Sequence, residues 1–351
     1  MYSLEVAGSI LGDPVFGDRL EQITFNALPS TFDPSMNYHQ YVQQANQVTC
    51  QNAQSTIYTN VNGHGNLYGI APNYGRLCFI FSHNTGCCTA NMHQGWPKFT
   101  AHLWMKTTEK EGLVAFAYSP ISLNTVIRNV NVAVSVQTEY PFGDGLINIT
   151  VNVESPIEFP ILLRIPAWTS KAQITCDSKV QFGNPGTFFT LTKTWTGSSS
   201  IIVNFNMDVR AVDQFANGTS IFRGPLMFGL RMNTARKYLR NCDRLECEDP
   251  YDYEVTSTQA WNYGIQVDRK NPNIQFKLFP ISNMPFYPDY PPLVGYISAR
   301  KVDSWKLDEK NLIAGPLPMS PLQSTAPLET IELVPFGSTN LRVGVFPVLQ
   351  S

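Results

Sequence analysis

The chain has 351 residues, of which 43% are hydrophobic and 15% are charged, and its formal net charge is −2. This composition predicts a folded chain with little disorder and with room for two or three domains. The absence of a basic block argues against nucleic acid or an anionic membrane surface as a partner. Since no apolar run reaches about 18 residues, we expect no transmembrane helix.

The chain carries no sign of a targeting segment at its start. Its first residues lack the basic region and the apolar run of a signal peptide. We therefore take the cytoplasm as the default localisation and leave the compartment open. The cysteines number seven, and their spacing suggests no disulfide framework. The oligomeric state is also open, with a homodimer as one option.

Three stretches in the first third of the chain show helical periodicity. Residues 2–11 predict one helix and residues 15–28 predict a second. Residues 29–84 are irregular and polar, and a loop region of this length usually has a function, such as a lid or a pocket wall. A third helix is predicted over residues 87–106, with a bend or a restart at Pro97.

The periodicity then changes to that of β-strands. Strands are predicted at residues 113–118, 147–153, 159–165, 188–191 and 201–205. Turn signals recur about every ten residues, as an antiparallel β-sandwich requires. The remaining third predicts further strands with Pro-rich connections. The sequence therefore predicts an α + β multidomain chain, in which a short helical part precedes a long all-β part.

Two adjacent cysteines, Cys87 and Cys88, are the most informative chemical feature of the sequence. Neighbouring side chains on a helix or strand point in different directions, so both rarely enter one core. Adjacent cysteines also cannot form an unstrained disulfide. The pair suits a soft metal ion held by two thiolates, or one reactive thiolate beside a metal. The alternative is that both are small buried hydrophobic side chains.

Residue types that bind metals or transfer protons are concentrated near this pair. All five histidines and four of the seven cysteines lie before residue 103. His83 and His93 could act as further ligands, although a histidine in such a position is more often an ordinary polar residue. Cys242 and Cys247 form only a weak metal signal, because no second pair accompanies them.

Nine short motifs are spread along the chain. They are Leu4-Glu5, Gly12-Asp13-Pro14, Asp18-Arg-Leu-Glu21, Asn26-Ala-Leu28, Cys87-Cys88-x-x-Asn91, Gly95-Trp-Pro-Lys98, Arg164-Ile-Pro-Ala-Trp168, Arg223-Gly-Pro225 and Trp261-Asn-Tyr263. Together they resemble the motifs of the β-L-arabinofuranosidase-type glycoside hydrolases, glycoside hydrolase family 127 (GH127) and relatives. The resemblance covers nearly the whole chain. The Cys-Cys and Arg-Gly-Pro elements are specific together, although neither is strong alone.

The resemblance implies an (α/α)₆ barrel that carries the active site, followed by antiparallel β-sandwich domains. Residues 1–108 would be the C-terminal portion of the barrel, residues 109–210 a β-sandwich domain, and residues 211–351 further β domains. The resemblance also implies a zinc ion held by three cysteines and a glutamate. It implies a retaining mechanism through a thioglycosyl intermediate. By motif position, the nucleophile would be Cys87, and Cys87 and Cys88 would both contact the zinc.

Two substrate-binding residues follow from the same resemblance, with a carbohydrate as the substrate. Glu21 would accept hydrogen bonds from sugar hydroxyls, and the alternative is that it is a solvated helix glutamate. Tyr41 matches the pocket tyrosine of the family.

The chain departs from the family pattern at its beginning. The Glu-x-Cys element with the other two zinc ligands, and the acid/base glutamate, would precede Met1. Loss of a general acid alone typically lowers the rate by about 10²–10⁴-fold. We therefore expect an N-terminally truncated glycosidase with impaired activity. The alternative is a non-catalytic remnant, or a pseudoenzyme that binds carbohydrate.

Overall fold

The structure is a computed structural model of the chain. It describes residues 1–32, 43–51, 72–73, 76–77, 91, 93–108, 111–240, 251–309 and 313–350. The described residues are mostly β with few helices, and none of the described helices is long and apolar enough to span a membrane. In this part of the chain no helical barrel is seen.

The described α-helices precede the first long strands, and short helical turns also occur later in the chain. The α-helices are α1 (Tyr2–Leu11), α2 (Val15–Gln22) and α3 (Gly95–Ala101), and the shorter helical turns are Ile23–Ala27, Pro29–Thr31, Phe215–Asn217 and Phe336–Ser338. The predicted helix over residues 2–11 is confirmed, and it ends where Gly12 adopts φ 65° and donates its N–H to Gly8. The predicted second helix is α-helical through Gln22 and continues as a π-helical turn.

The third predicted helix is wrong at its C-terminal end. Helix α3 ends at Ala101, and the chain is extended again from Trp104. Leu103 and Trp104 are buried, and Trp104 lies opposite Ala115 on an antiparallel neighbour. Pairing with this strand overrides the helical spacing of the apolar residues. The predicted start of the helix, at the cysteine pair, lies outside the described residues.

The strands are numbered in chain order. They are β1 (Asn46–Gln47), β2 (Thr49–Cys50), β3 (Pro72–Asn73), β4 (Arg76–Leu77), β5 (Trp104–Lys106), β6 (Leu113–Ala115), β7 (Ile121–Ile127), β8 (Val130–Thr138), β9 (Leu146–Val153), β10 (Ile157–Ile165), β11 (Ala172–Cys176), β12 (Lys179–Gly183), β13 (Thr187–Trp195) and β14 (Ser198–Phe205). They continue with β15 (Val209–Asp213), β16 (Thr219–Arg223), β17 (Leu226–Leu230), β18 (Thr234–Arg240), β19 (Tyr251–Ser257), β20 (Tyr263–Ile265), β21 (Gln275–Leu278), β22 (Leu293–Lys301), β23 (Leu307–Asp308), β24 (Ile313–Ala314), β25 (Glu329–Pro335) and β26 (Arg342–Val343).

The chain divides into two compact units, each built from separate stretches of sequence. Unit 1 comprises residues 1–25, 94–208 and 223–226, and unit 2 comprises residues 26–93, 209–222 and 227–351. The predicted boundaries after residues 108 and 210 stay a prediction.

Unit 1 contains two sheets beside the three α-helices. The six-stranded sheet has the order β12-β11-β14-β9-β8-β7, and the four-stranded sheet has the order β13-β10-β6-β5. The predicted antiparallel pairing is confirmed except for β6 and β10, which run parallel. In β9, buried and more exposed residues alternate, and Ile147, Ile149 and Val151 have no exposed surface. This alternation is the predicted period of two for a half-buried strand.

The two sheets of unit 1 face each other across an apolar layer. Tyr118, just after β6, packs edge to face on Phe205 of β14, with ring centroids 5.3 Å apart. Gly183 of β12 lies close to Ile165 of β10, because a Cβ atom there would come within 2.6 Å of the Ile165 side chain. A residue without a side chain is therefore required at this contact between the two sheets.

Unit 2 is built around a larger sheet. Its main path has the order β15-β16-β17-β25-β22-β20, and β21 also pairs with β22. Smaller sheets are β18-β19-β2, β1-β26, β23-β24 and β3-β4. Phe228, Leu333 and Phe346 have no exposed surface and form part of the core. The further strands predicted for the last third of the chain are confirmed.

Candidate functional site

Of the site residues predicted from the sequence, some lie among the described residues and others do not. Cys87, Cys88 and Tyr41 lie outside the described residues, as does His83. Glu21 is described, and it lies near the end of α2 with no exposed surface. The alternative that Glu21 is a solvated helix glutamate is therefore wrong.

The carboxylate of Glu21 is surrounded by partners from the β part of unit 1. Oε1 accepts a hydrogen bond from the backbone N–H of Tyr118 at 3.0 Å. Oε2 accepts a hydrogen bond from the hydroxyl of Tyr140 at 2.6 Å. The guanidinium of Arg164 lies beside the same carboxylate, with 2.6 Å between Nη2 and Oε1. Both oxygens of Glu21 are thus engaged by protein groups.

Arg164 is the centre of this buried cluster. It lies on β10, has no exposed surface, and forms a second ion pair through Nη1 with Asp18 of α2. Its Nε donates a hydrogen bond to the carbonyl of Phe116 at 2.5 Å. Its own carbonyl accepts a hydrogen bond from the Tyr118 hydroxyl at 2.7 Å. One guanidinium therefore connects α2 to the chain that follows β6, and its fixed planar fork suits two carboxylates.

The local sequence explains why both carboxylates face this guanidinium. Asp18 and Glu21 are three residues apart, so they lie on the same face of α2. The second oxygen of Asp18 accepts a hydrogen bond from the N–H of Ala167 at 2.9 Å, which fixes the chain just after β10. The motifs Asp18-Arg-Leu-Glu21 and Arg164-Ile-Pro-Ala-Trp168 are therefore two halves of one contact.

Burial and neighbouring charges both shift the pKa values of the groups in this cluster. Burial raises the pKa of Glu21, and the Arg164 charge and the Tyr140 hydroxyl oppose this only in part. Burial also raises the pKa of Tyr140, and the neighbouring Glu21 carboxylate raises it further. For Arg164, burial lowers the pKa, but Glu21 and Asp18 outweigh it, so the pKa is raised and the guanidinium stays charged.

Sequence reasoning missed the partners of Glu21. Tyr118 and Tyr140 gave no signal, because each is an ordinary aromatic residue in a strand-rich stretch. Arg164 was quoted as part of a motif but had no assigned role, and a charged residue inside the apolar run of β10 was the signal that could have identified it. The substrate-binding role of Glu21 stays a prediction.

A second buried carboxylate, Glu5 of α1, was also missed. It has no exposed surface and lies 3.3 Å from Nδ1 of His102, the residue that follows α3. Burial raises the pKa of Glu5, and His102 opposes this shift. The pair connects α1 to α3. His93, considered as a metal ligand from the sequence, is exposed in the turn before α3.

No metal-binding cluster is seen in the part of the chain that the structure describes. There, no three side chains of the types His, Cys, Asp or Glu come together around one point. Cys50 and Cys176 are buried and form no disulfide. The predicted zinc ligands are Cys87 and Cys88, and thiolates are ligands that zinc prefers. The donor types thus fit zinc, and the site itself stays a prediction.

The β part of unit 1 matches a known family model. Residues 114–207 match the model described as beta-L-arabinofuranosidase, GH127 middle domain. This stretch contains Tyr118, Tyr140 and Arg164, the three residues that contact Glu21. The match confirms the predicted resemblance to the GH127 glycoside hydrolases for this part of the chain. None of the curated proteins matches the chain.

Solved structures show a similar fold. The chain matches the GH127 β-L-arabinofuranosidase from Geobacillus stearothermophilus T6 at 16% identity and a TM-score of 0.63, over 96% of this chain and 47% of that one. A protein described as a glycoside hydrolase matches at 17% identity and a TM-score of 0.63, over 97% and 49%. A further GH127 β-arabinofuranosidase matches at 14% identity and a TM-score of 0.64, over 99% and 48%. The chain thus spans about half the length of the solved structures it matches.

Proposed function

We propose that this chain is part of a glycoside hydrolase that cleaves terminal β-L-arabinofuranosides or related sugars. The observation that carries the proposal is the match of residues 114–207 to the GH127 middle domain. The fold similarity to two GH127 arabinofuranosidases, which extends over nearly all of this chain, supports it further. In this proposal, helices α1, α2 and α3 belong to the C-terminal portion of an (α/α)₆ barrel.

The proposed chemistry uses the adjacent cysteines. Cys87 is the nucleophile of a retaining mechanism, and both Cys87 and Cys88 are zinc ligands. A bound zinc ion would keep the thiols deprotonated near neutral pH, where a free cysteine has a pKa of about 8.5. The thiolate of Cys87 would attack the anomeric carbon while the glycosidic C–O bond breaks and the departing oxygen takes a proton from a general acid or from water. Water would then displace the sulfur, which returns the thiolate and releases the sugar with its original configuration.

The described residues support this proposal by fixing the helices. Asp18 and Glu21 hold α2 to Arg164 on β10, and Glu5 holds α1 near His102 at the end of α3. Helix α3 begins shortly after the cysteine motif in sequence. In this proposal Glu21 and Tyr41 contact the sugar, and Glu21 would exchange a partner within its cluster to do so.

Hydrolysis of a chromogenic β-L-arabinofuranoside by the full chain tests the proposal. We expect slow release of the chromophore, loss of this release in Cys87→Ser, and no change in the control Cys176→Ser. Cys176 is a buried thiol at the end of β11, so the control keeps the type of substitution constant. Equal rates in wild type and Cys87→Ser would rule out the assigned nucleophile.

Zinc content tests the ligand assignment independently of activity. We expect the purified chain to retain zinc, as measured by elemental analysis after dialysis, and Cys88→Ser to retain less. A chain that binds arabinose-containing sugars but neither holds zinc nor hydrolyses them would instead be a non-catalytic carbohydrate-binding protein.

A further inference from the structure

Unit 2 contains a cavity of about 500 Å³. Its walls are formed by residues 231–236 around the start of β18, residues 287–289, and residues 338–341 before β26. The volume falls in the range of about 300–1,000 Å³ that is typical of small-molecule sites. We propose that this cavity is a non-catalytic binding site for a neutral sugar or short oligosaccharide.

An aromatic surface forms one side of the cavity. Tyr287 lines it and is stacked on Tyr290, with ring centroids 5.8 Å apart and an angle of 16° between the ring planes. Tyr290 is 74% exposed. An aromatic face packs well against the C–H groups of a sugar ring, while the hydroxyl keeps a polar contact with water or ligand. Of the two rings, Tyr287 lies on the cavity lining and is the one that a sugar would contact.

Polar groups lie on the other walls of the cavity. Ser338 lines the cavity, is 1% exposed, and its Oγ has no hydrogen-bond partner within the described residues. A buried hydroxyl without a partner is unfavourable, and rotation about χ1 can turn it toward a ligand. Asn233 lies on the same lining with its side chain exposed, and its backbone is held by Thr258 and Gln259. A hydroxyl-rich ligand would pair with both groups.

The charges around the cavity favour a neutral ligand over an anion. The guanidinium of Arg231 forms an ion pair with Glu332 at 2.9 Å and donates a hydrogen bond to the carbonyl of Asp289 at 3.2 Å. Arg236 is exposed and lies on the same lining as the carboxylate of Asp289. The charge of Arg231 is thus already paired with Glu332, and Asp289 on the lining adds a carboxylate that disfavours a phosphate or a uronate. The choice of a sugar among neutral polar ligands rests on the proposed function.

Calorimetry with a β-linked L-arabinofuranose disaccharide tests the proposal. The titration uses the full chain carrying Cys87→Ser, so that hydrolysis does not consume the probe. We expect binding that Tyr287→Ala weakens by about tenfold and Asn233→Ala weakens by a few fold, because each removes one contact. Tyr287→Phe, which keeps the ring, should bind nearly as well as the parent. The control Phe215→Ala, at a 62% exposed aromatic residue of unit 2 outside the cavity, should bind unchanged.

Three results would overturn the proposal. They are no binding of the disaccharide, binding that Tyr287→Ala does not alter in a folded protein, and tighter binding of inorganic phosphate than of the sugar. The hydrolysis test is separate, because Tyr287→Ala should leave chromophore release by the otherwise unmodified chain unchanged. Binding that depends on Tyr287 in a chain without hydrolysis would remove the proposed function and keep the sugar site.

Discussion

Arg164 and Glu21 form an ion pair in which neither side chain has exposed surface, with 2.6 Å between Nη2 and Oε1. The pair is far apart in sequence and joins α2 to β10. A buried charge is tolerated only where its partners are in place, so this contact couples the position of the helix to the folding of the sheet. The first three predictions below concern this cluster.

Replacing Arg164 with methionine should destabilise the protein by about 3–5 kcal/mol, because the buried carboxylate of Glu21 loses its counter-ion. Urea unfolding measures the change. The matched control is Lys301→Met, since the pair between Lys301 and Glu329 is partly exposed and 3.9 Å long, and it should change stability by less than about 1 kcal/mol. Adding Asp18→Asn and Glu21→Gln to Arg164→Met should recover part of the loss. No recovery would contradict the electrostatic cause.

Replacing Gly17 with alanine should destabilise the protein, although alanine is the better helix former. A Cβ atom on Gly17 of α2 would lie 2.5 Å from Cδ of Arg164 and 2.8 Å from the carbonyl oxygen of Phe116. Overpacking of this kind costs about 1–3 kcal/mol. Thermal unfolding provides the measurement. The loss of stability caused by Gly17→Ala should be smaller in a protein that already carries Arg164→Ala, because the clashing side chain is then absent. An unchanged loss of stability would instead place the main clash at the carbonyl of Phe116.

The buried carboxyl of Glu21 should give the protein a specific pH dependence. Because burial raises its pKa above the ordinary value of 4.5, the folded state holds a proton over a window in which the unfolded state has released it. The contribution of Glu21 to stability should therefore fall as pH rises through this window. Glu21→Gln removes the titrating carboxyl. The difference in unfolding free energy between wild type and this variant should therefore change with pH between the unfolded-state and folded-state pKa values of Glu21. A difference that is constant with pH would contradict the assignment.

The thiol of Cys176 should react slowly in the folded protein. Burial raises its pKa, and the neighbouring carboxylate of Asp177 raises it further. Since the thiolate is the reactive form, alkylation by iodoacetamide at pH 8 should be at least about tenfold slower in the native protein than in urea. Peptide mass spectrometry measures the rate for this cysteine alone. Asp177→Asn should speed the native reaction modestly, and equal rates in native and unfolded protein would contradict the burial.

Local patterns in the sequence determined much of the fold. The period of two over residues 147–153 gave strand β9, and the helical spacing over residues 2–11 gave α1. Both patterns depend only on which face of an element is buried, and neighbouring residues carry that information. The motifs, including Arg164-Ile-Pro-Ala-Trp168, also identified the resemblance to the GH127 hydrolases that the match of residues 114–207 confirms.

Features that depend on contacts between distant parts of the chain were decided only by the tertiary structure. The end of α3 and the strand at Trp104 depend on pairing with β6, and the parallel register of β6 and β10 depends on the whole sheet. The burial of Glu21 depends on Tyr118, Tyr140 and Arg164, which approach it only after the sheets form. From the sequence alone, a glutamate on a helix is predicted to be solvated. The sequence shows its charge, but it does not show the long-range partners that offset the cost of removing that charge from water.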